Sequence, residues 1–332
     1  MRTNELKNEI ENTAYCSGTD IIAYLKEYHT FLSDKGFSAC CLATLFFCAS
    51  STSFKIVNVG NTKFLFKEEG NKKYQLQGLP VADTLDRIRE AVSCCLELGI
   101  GLDLSDLDLL KLKMSPIPEV IIDSYLYEHS SMFEYLEGCS RSTRKNINRF
   151  DREYSFAVFK ANCVSDRVMN AIKDINEIWL KEFKDGNKDY EYNIDNTELC
   201  LTSHLISLIN AAVIVYYDKE DKIVAYDYFE AWGDTVYSLG GKSIIKDLSS
   251  FKSVNRNVMK VANDLFGATK MDIGYSTIYK PLSMKPITEN SLKLTEAKSS
   301  FPNTRTLYNI FYTKPSKYSK VEAVDNSSNS LF

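Results

Sequence analysis

The stretch that most limits how this chain can fold is Gly138–Tyr154, GCSRSTRKNINRFDREY. In a helix, at about 100° per residue, Arg141, Lys145, Arg149 and Arg152 fall within a sector of roughly 80°. Ile147, Phe150 and Tyr154 fall on the opposite side. Such a helix packs along one side and leaves the other to solvent or to an anionic partner. Residues 138–152 hold five Lys or Arg and one Asp, a local charge of 5 − 1 = +4, in a chain whose net charge is −4. No carboxylate lies within the stripe, and Arg144 widens it. The stripe suits phosphates of a tRNA, a coenzyme or a lipid head group. A solvated face paired with acids from elsewhere is the competing reading.

The sequence around this helix divides most simply into two units. An N-terminal domain over 1–119 and a C-terminal domain over 120–332 are expected, the second including the basic linking helix 140–154. Hydrophobic residues at 44% and charged residues at 25% are enough to fill a core in each. The N-terminus, MRTNELKNEIENT, is too polar for a signal peptide. The longest apolar run, Ala39–Ala49, falls short of the roughly 20 residues a membrane helix needs, so a cytoplasmic protein is expected. Nine cysteines, among them the adjacent pairs Cys40–Cys41 and Cys94–Cys95, show no CxxC spacing and read as reduced thiols. His29, His129 and His204 stand singly, so neither a metal site nor a cofactor is expected.

Periodicity gives the order of elements. Asp20–Leu32 reads as a helix with Ile21, Ile22, Leu25, Tyr28 and Leu32 on one face and Thr19 or Asp20 as N-cap. Cys41–Cys48, Phe54–Val57, Lys63–Lys67 and Lys73–Gln77 read as strands, with Gly-Asn turns at Gly60–Asn61 and Gly70–Asn71. Val81–Leu98 is an amphipathic helix capped by Asp83 and ended by Gly99. Leu102–Leu112 suits a helix or a strand, and Pro116 and Pro118 mark the seam. A short strand at Val120–Asp123 and a helix through Phe133 and Leu136 lead to the basic helix. Ser165–Phe183 and Thr197–Ala212 then read as helices, and Val213–Tyr217, Lys222–Glu230 and Thr235–Gly240 as a meander. Val254–Phe266 follows as a helix with Val254, Val258, Val261 and Leu265 inward, before strands at Lys270–Ile273 and Thr306–Thr313. Strands, a helix and a returning strand, twice over, predict an α/β (α+β) chain of two units of similar plan.

The residues around the basic helix also carry a family pattern. Asp123-Ser-Tyr-Leu-Tyr127, Leu136-Glu-Gly138, Arg144-Lys-Asn-Ile-Asn-Arg-Phe150 and Arg152-Glu-Tyr154 follow one another in order. This stretch resembles the phosphatidylglycerol lysyltransferase C-terminal (DUF2156) family, where D-Y-x-Y precedes L-x-G and K-R-N-x-I-N-R-F-x-R-x-Y. Gly78-Leu-Pro80 before the Asp83–Leu98 helix, and the strand Lys222–Ala231 with its Glu230, are similar to further family elements. The resemblance implies two tandem GNAT-like domains, each a mixed, mostly antiparallel sheet flanked by helices. It implies an enzyme that moves an aminoacyl group from aminoacyl-tRNA to a lipid or other acceptor. Wider relatives are the Fem peptidoglycan transferases and other N-acyltransferases. Where the family reads E-K-A this chain has Gly240-Gly241-Lys242, without the carboxylate, and Lys270-Met-Asp-Ile-Gly274 replaces N-R-E-x-D-L-G. The membrane-spanning half that many members carry is not expected here.

Acyl transfer needs an acceptor for the nucleophile's proton and donors facing the developing oxyanion. Alternation along Lys222–Glu230 puts Val224, Tyr226, Tyr228 and Glu230 on one face and Ile223, Ala225, Asp227 and Phe229 on the other. Glu230 beside Tyr228 is the leading catalytic candidate and Asp227 a further one; for each carboxylate, an edge-strand charge facing water is the alternative. Arg141, Arg144, Lys145, Arg149 and Arg152 form the candidate donor-phosphate set. Asp272, Tyr275 and Lys280, at and after a strand end, form a candidate acceptor pocket. The coenzyme A pyrophosphate loop, Q/R-x-x-G-x-G/A, is absent from the sequence, which favours another donor. Cys139, at the start of the basic helix with no histidine near in sequence, reads as inert. The expected partners are an aminoacyl-tRNA or acyl-CoA donor and a small-molecule, peptide or lipid acceptor. An acyl-carrier-protein donor and a non-catalytic binding module of the same fold are the alternatives.

Overall fold

The computed structural model describes residues 1–37, 53–68, 70, 72–114, 120–128, 141–186, 197–245, 250–275, 280–281 and 304–310. One local plan occurs twice. In the first instance α1 (Thr3–Asn12) and α2 (Gly18–Lys35) precede β1 (Ser53–Val59), β2 (Thr62–Glu68) and β3 (Tyr74–Leu76). These strands are antiparallel neighbours, and α3 (Leu85–Glu97) carries the chain over to β4 (Gly101–Ser105), parallel to β3. Then come α4 (Asp106–Lys111), β5 (Val120–Glu128), α5 (Arg141–Glu153), β6 (Ser155–Lys160) and α6 (Asp166–Gly186).

The second instance begins with α7 (Thr197–Thr202) and a 3-10 segment, His204–Leu208. Antiparallel β7 (Asn210–Tyr217), β8 (Ile223–Trp232) and β9 (Thr235–Ser243) follow, and α8 (Ser250–Phe266) crosses over to β10 (Lys270–Tyr275), parallel to β9. After β11 (Lys280–Pro281), β12 (Thr304–Ile310) inserts between β4 and β5 and joins both sets. The path is β1-β2-β3-β4-β12-β5-β10-β9-β8-β7-β6, with β11 on β5. The expected class holds: mixed, mostly antiparallel strands flanked by helices, with a parallel pair wherever a helix makes the crossover.

Several local expectations shift. Ser17, rather than Thr19 or Asp20, caps α2: its Oγ accepts from the Asp20 amide at 3.2 Å while the Asp20 carboxylate accepts from the Ser17 amide at 2.9 Å. Thr84, rather than Asp83, caps α3, and Asp83 pairs instead with Arg87 at 3.1 Å. The leucine-rich stretch is both a strand and a helix, changing at Asp106. Thr197–Ala212 is not one helix. Its end belongs to a strand, because the run Ala211-Ala-Val-Ile-Val-Tyr-Tyr217 is β-prone and apolar on both faces, as an inner strand between β6 and β8 requires. Leu265 on α8 is 43% exposed, while Val258 and Ala262 are buried. The edge strand β6 was not expected. Cys41–Cys48, Phe133, Leu136 and Cys139 lie outside the described residues.

At β7–β9 the sheet separates two apolar layers. Val213, Val215, Tyr226, Tyr228 and Trp232 share one with α2 and with Val168, Ile172 and Ile175 of α6. Ala212, Ile214, Tyr216, Ala225, Phe229 and Val236 share the other with Phe150 of α5 and Val258, Met259 and Ala262 of α8. Among the described residues no helix is long and apolar enough to cross a membrane.

Candidate functional site

Helix α5 is oriented by its apolar side. Ile147 and Phe150 are buried, Phe150 against the Tyr216 ring, and each stabilises the docking by about 1.5–3 kcal/mol. Asp151 adds an ion pair to Arg256 of α8 at 2.6 Å. That docking leaves Arg141, Arg144, Lys145, Arg149 and Arg152 exposed. Among the described residues no ion pair engages Arg141, Arg144, Lys145 or Arg152, whereas Arg149 is engaged by a neighbour.

Asp227 points to the same side of the sheet as α5. It is 7% exposed on β8, an inner strand, so it is not an edge charge facing water. The Ser238 hydroxyl donates to Asp227 Oδ1 at 2.9 Å, and Gly241 stands opposite it on β9. A Cβ at Gly241 would lie 2.8 Å from Asp227 Oδ2 and 3.1 Å from the Tyr226 carbonyl oxygen. Gly241 therefore leaves the room that Asp227 fills, a physical reason for the departure from E-K-A. Gly241→Ala should displace the carboxylate and cost about 1–3 kcal/mol in urea unfolding. Nearby, burial pushes the Tyr216 hydroxyl far above its usual pKa; Asn257, Asp227, Arg256 and Asp151 all act on it. The basic helix, α8 and Asp227 thus belong to one neighbourhood.

The strand ladder opens beside it. β10 pairs with β9 only from Lys270/Thr235 to Asp272/Tyr237, although β9 runs on to Ser243 and β10 to Tyr275. Among the described residues no strand pairs with Ser238–Ser243 on that side, and ligands tend to bind where parallel strands part. Asp272 is buried, opposite Tyr237 at the last paired position. Tyr275 and Lys280 lie further along, opposite Ser124 and Ile121 of β5.

Glu230 and Tyr228 occupy the other face, as the alternation predicts. Glu230 is fully buried rather than at a wet edge; its carboxylate accepts from the Tyr228 hydroxyl at 2.8 Å and from the Trp232 indole at 2.9 Å. Burial, first, and the adjacent Glu230 charge, second, hold the Tyr228 hydroxyl well above its usual pKa. Trp232 stacks on His29 of α2, with ring centroids 5.7 Å apart. His29 and Trp232 line a cleft of about 720 Å³ between α2 and the β8–β9 turn. None of the five cations of α5 lines it. Burial pushes His29 down to about 4, with Asp234 opposing. The folded state thus resists protonation. The stabilisation is intact above about pH 6.5 and drains by about 3 kcal/mol as pH falls through 4. His29→Phe should flatten that slope in urea titrations across the window.

Structure thus brings Asp227 together with the basic helix, and Glu230 with Tyr228, on opposite faces. Ser238, Arg256, Asn257, Trp232 and His29 were missed; only topology places them. A family model described as phosphatidylglycerol lysyltransferase, C-terminal, matches residues 120–240. It is this family that the chain resembles. The lysyltransferase-like segment takes in α5, β8 and most of β9, and the match supports a transferase of the acyl or aminoacyl kind. Similar solved structures include L-PGS from Bacillus licheniformis, at 14% identity and TM-score 0.55, covering 92% of this chain and 95% of that one. A DUF2156 C-terminal domain from Agrobacterium fabrum gives 14%, 0.54, 92% and 96%. A conserved protein of unknown function from Bacteroides thetaiotaomicron gives 10%, 0.51, 93% and 98%. Such identities speak to the fold alone. A search of curated proteins returns no match.

Proposed function

We propose that this protein moves an aminoacyl group from aminoacyl-tRNA to an amine or hydroxyl of an acceptor. The observation that carries this reading is the exposed cationic face of α5 inside the lysyltransferase-like segment. Arg141, Arg144, Lys145, Arg149 and Arg152 would hold phosphates of the acceptor stem, and the ester would reach the opening beside Ser238–Ser243. There the acceptor nitrogen or oxygen attacks the ester carbonyl, the bond to the ribose oxygen breaks, and that oxygen leaves with a proton.

Asp227 is assigned the intermediate proton transfer, because it lies on the face α5 covers. Backbone N–H groups on the open edge of β9 would face the oxyanion. Glu230 and Tyr228, on the opposite face, hold Trp232 in place and are assigned no step of the transfer. Asp272, Tyr275 and Lys280, on the strands flanking the opening, are assigned to the acceptor side.

Charged tRNA binding measured across a salt series tests the donor. Each cation removed, as in Lys145→Ala or Arg152→Ala, should reduce the slope of log affinity against log salt by about 0.7–0.9. An unchanged slope, or binding of acyl-CoA with no dependence on tRNA, counts against the assignment.

A further inference from the structure

The end strand of the sheet carries a surface that the chemistry above does not use. β6 ends the strand path, and among the described residues no strand pairs with its outer edge. Ala157 and Phe159 turn to the layer shared with α2 and α6. Phe156, Val158 and Lys160 turn to the α5 side and stand exposed, Phe156 at 42% and Val158 at 36%. The Phe156 ring is held in place: it meets Tyr216 with centroids 5.9 Å apart, and Tyr216 meets Phe150 of α5 at 5.6 Å. A fixed aromatic ring, partly open to solvent, therefore lies beside the end of the cationic helix.

Cross-strand register ties this surface to the unpaired stretch of β9. One row across the sheet runs Phe156, Tyr216, Ala225, Ser243. The next runs Val158, Ile214, Asp227, Gly241. Each row crosses three strand spacings, about 14 Å. About four stacked nucleotides of one strand cover the same distance. The charge is complementary as well. Arg141, Arg144, Lys145, Arg152 and Lys160 are exposed, and of the two carboxylates of α5, Asp151 is committed to Arg256. Duplex phosphates need only the cations. An exposed ring at the end of a cationic stripe suits the face of an unpaired base.

We propose that Phe156 stacks an unpaired base of the RNA whose phosphates the α5 cations hold. The inference rests on the tRNA reading and extends it: duplex phosphates lie on α5, and the single-stranded 3′ end crosses β6 toward Asp227. Stacking on a ring is indifferent to which base is stacked, so this surface selects an unpaired end rather than a sequence.

Binding of an uncharged tRNA to the full chain is compared with binding of the same tRNA after its unpaired 3′ nucleotides are removed. Phe156→Ala should weaken the intact tRNA by about 5- to 150-fold, leave the trimmed one unchanged and leave the salt slope as it was. Phe156→Trp should bind like the parent and Phe156→Leu like Phe156→Ala, which separates stacking from apolar packing; urea unfolding checks that all three fold. Equal binding of intact tRNA by the parent and Phe156→Ala overturns the proposal and leaves the tRNA reading standing. A loss that the trimmed tRNA shares does the same, because Phe156 then supports α5 rather than a base. Binding of neither RNA by the parent overturns both. If Phe156→Ala instead abolishes self-association, or binding to phosphatidylglycerol vesicles, with tRNA binding unchanged, the face belongs to a second copy or a lipid surface and the proposal falls.

Discussion

Asp227→Asn should lower aminoacyl transfer by about 10²–10⁴-fold while the folded chain persists. The amide keeps an oxygen to accept from Ser238, whose hydroxyl lies 2.9 Å from Oδ1, so packing beneath α8 and α5 is retained. What it loses is the capacity to take a proton from the attacking acceptor. Single-turnover transfer and urea unfolding, measured on the same preparation, separate the two effects. A mutant that transfers normally removes Asp227 from the mechanism. One that no longer unfolds cooperatively makes it a structural carboxylate.

Glu230→Ala should act on stability instead. It leaves the Tyr228 hydroxyl and the Trp232 indole without their acceptor in a fully buried site, at about 1–3 kcal/mol for each donor, with a cavity term added. A loss of about 2–6 kcal/mol in urea unfolding is therefore expected. Glu230→Gln, which retains an acceptor oxygen, should recover about half of it. If Glu230→Gln were as stable as the parent but inactive, the carboxylate would be a proton carrier rather than a group that positions Trp232.

What is legible in the sequence, and what is not, has physical causes. Helix α5 was legible because its charges and its apolar residues repeat at the helical period, and Ile147 and Phe150 are indeed the buried pair. The opposite facing of Asp227 and Glu230 was legible too, since a strand alternates wherever it sits. Whether that strand is an edge or an inner one is a long-range property. It depends on β7 and β9 pairing on either side, and so the burial of both carboxylates was not readable. β12 is the extreme case: it closes the sheet between β4 and β5, which precede it by about two hundred residues in sequence, and nothing local announces its partners. A lone histidine carries no pattern. His29 acquires meaning only when α2 is laid against the β8–β9 turn.

The most direct test of the account is donor consumption. The protein is incubated with a mixture of charged tRNAs, phospholipid vesicles and small amines, and loss of the aminoacyl ester is followed against spontaneous hydrolysis. The account predicts protein-dependent ester loss that falls when Lys145 and Arg152 are both changed to Glu, together with appearance of the aminoacyl group on an acceptor. Ester loss no faster than the spontaneous rate, with turnover instead of an acyl-CoA thioester by the parent and the doubly substituted protein alike, would contradict it.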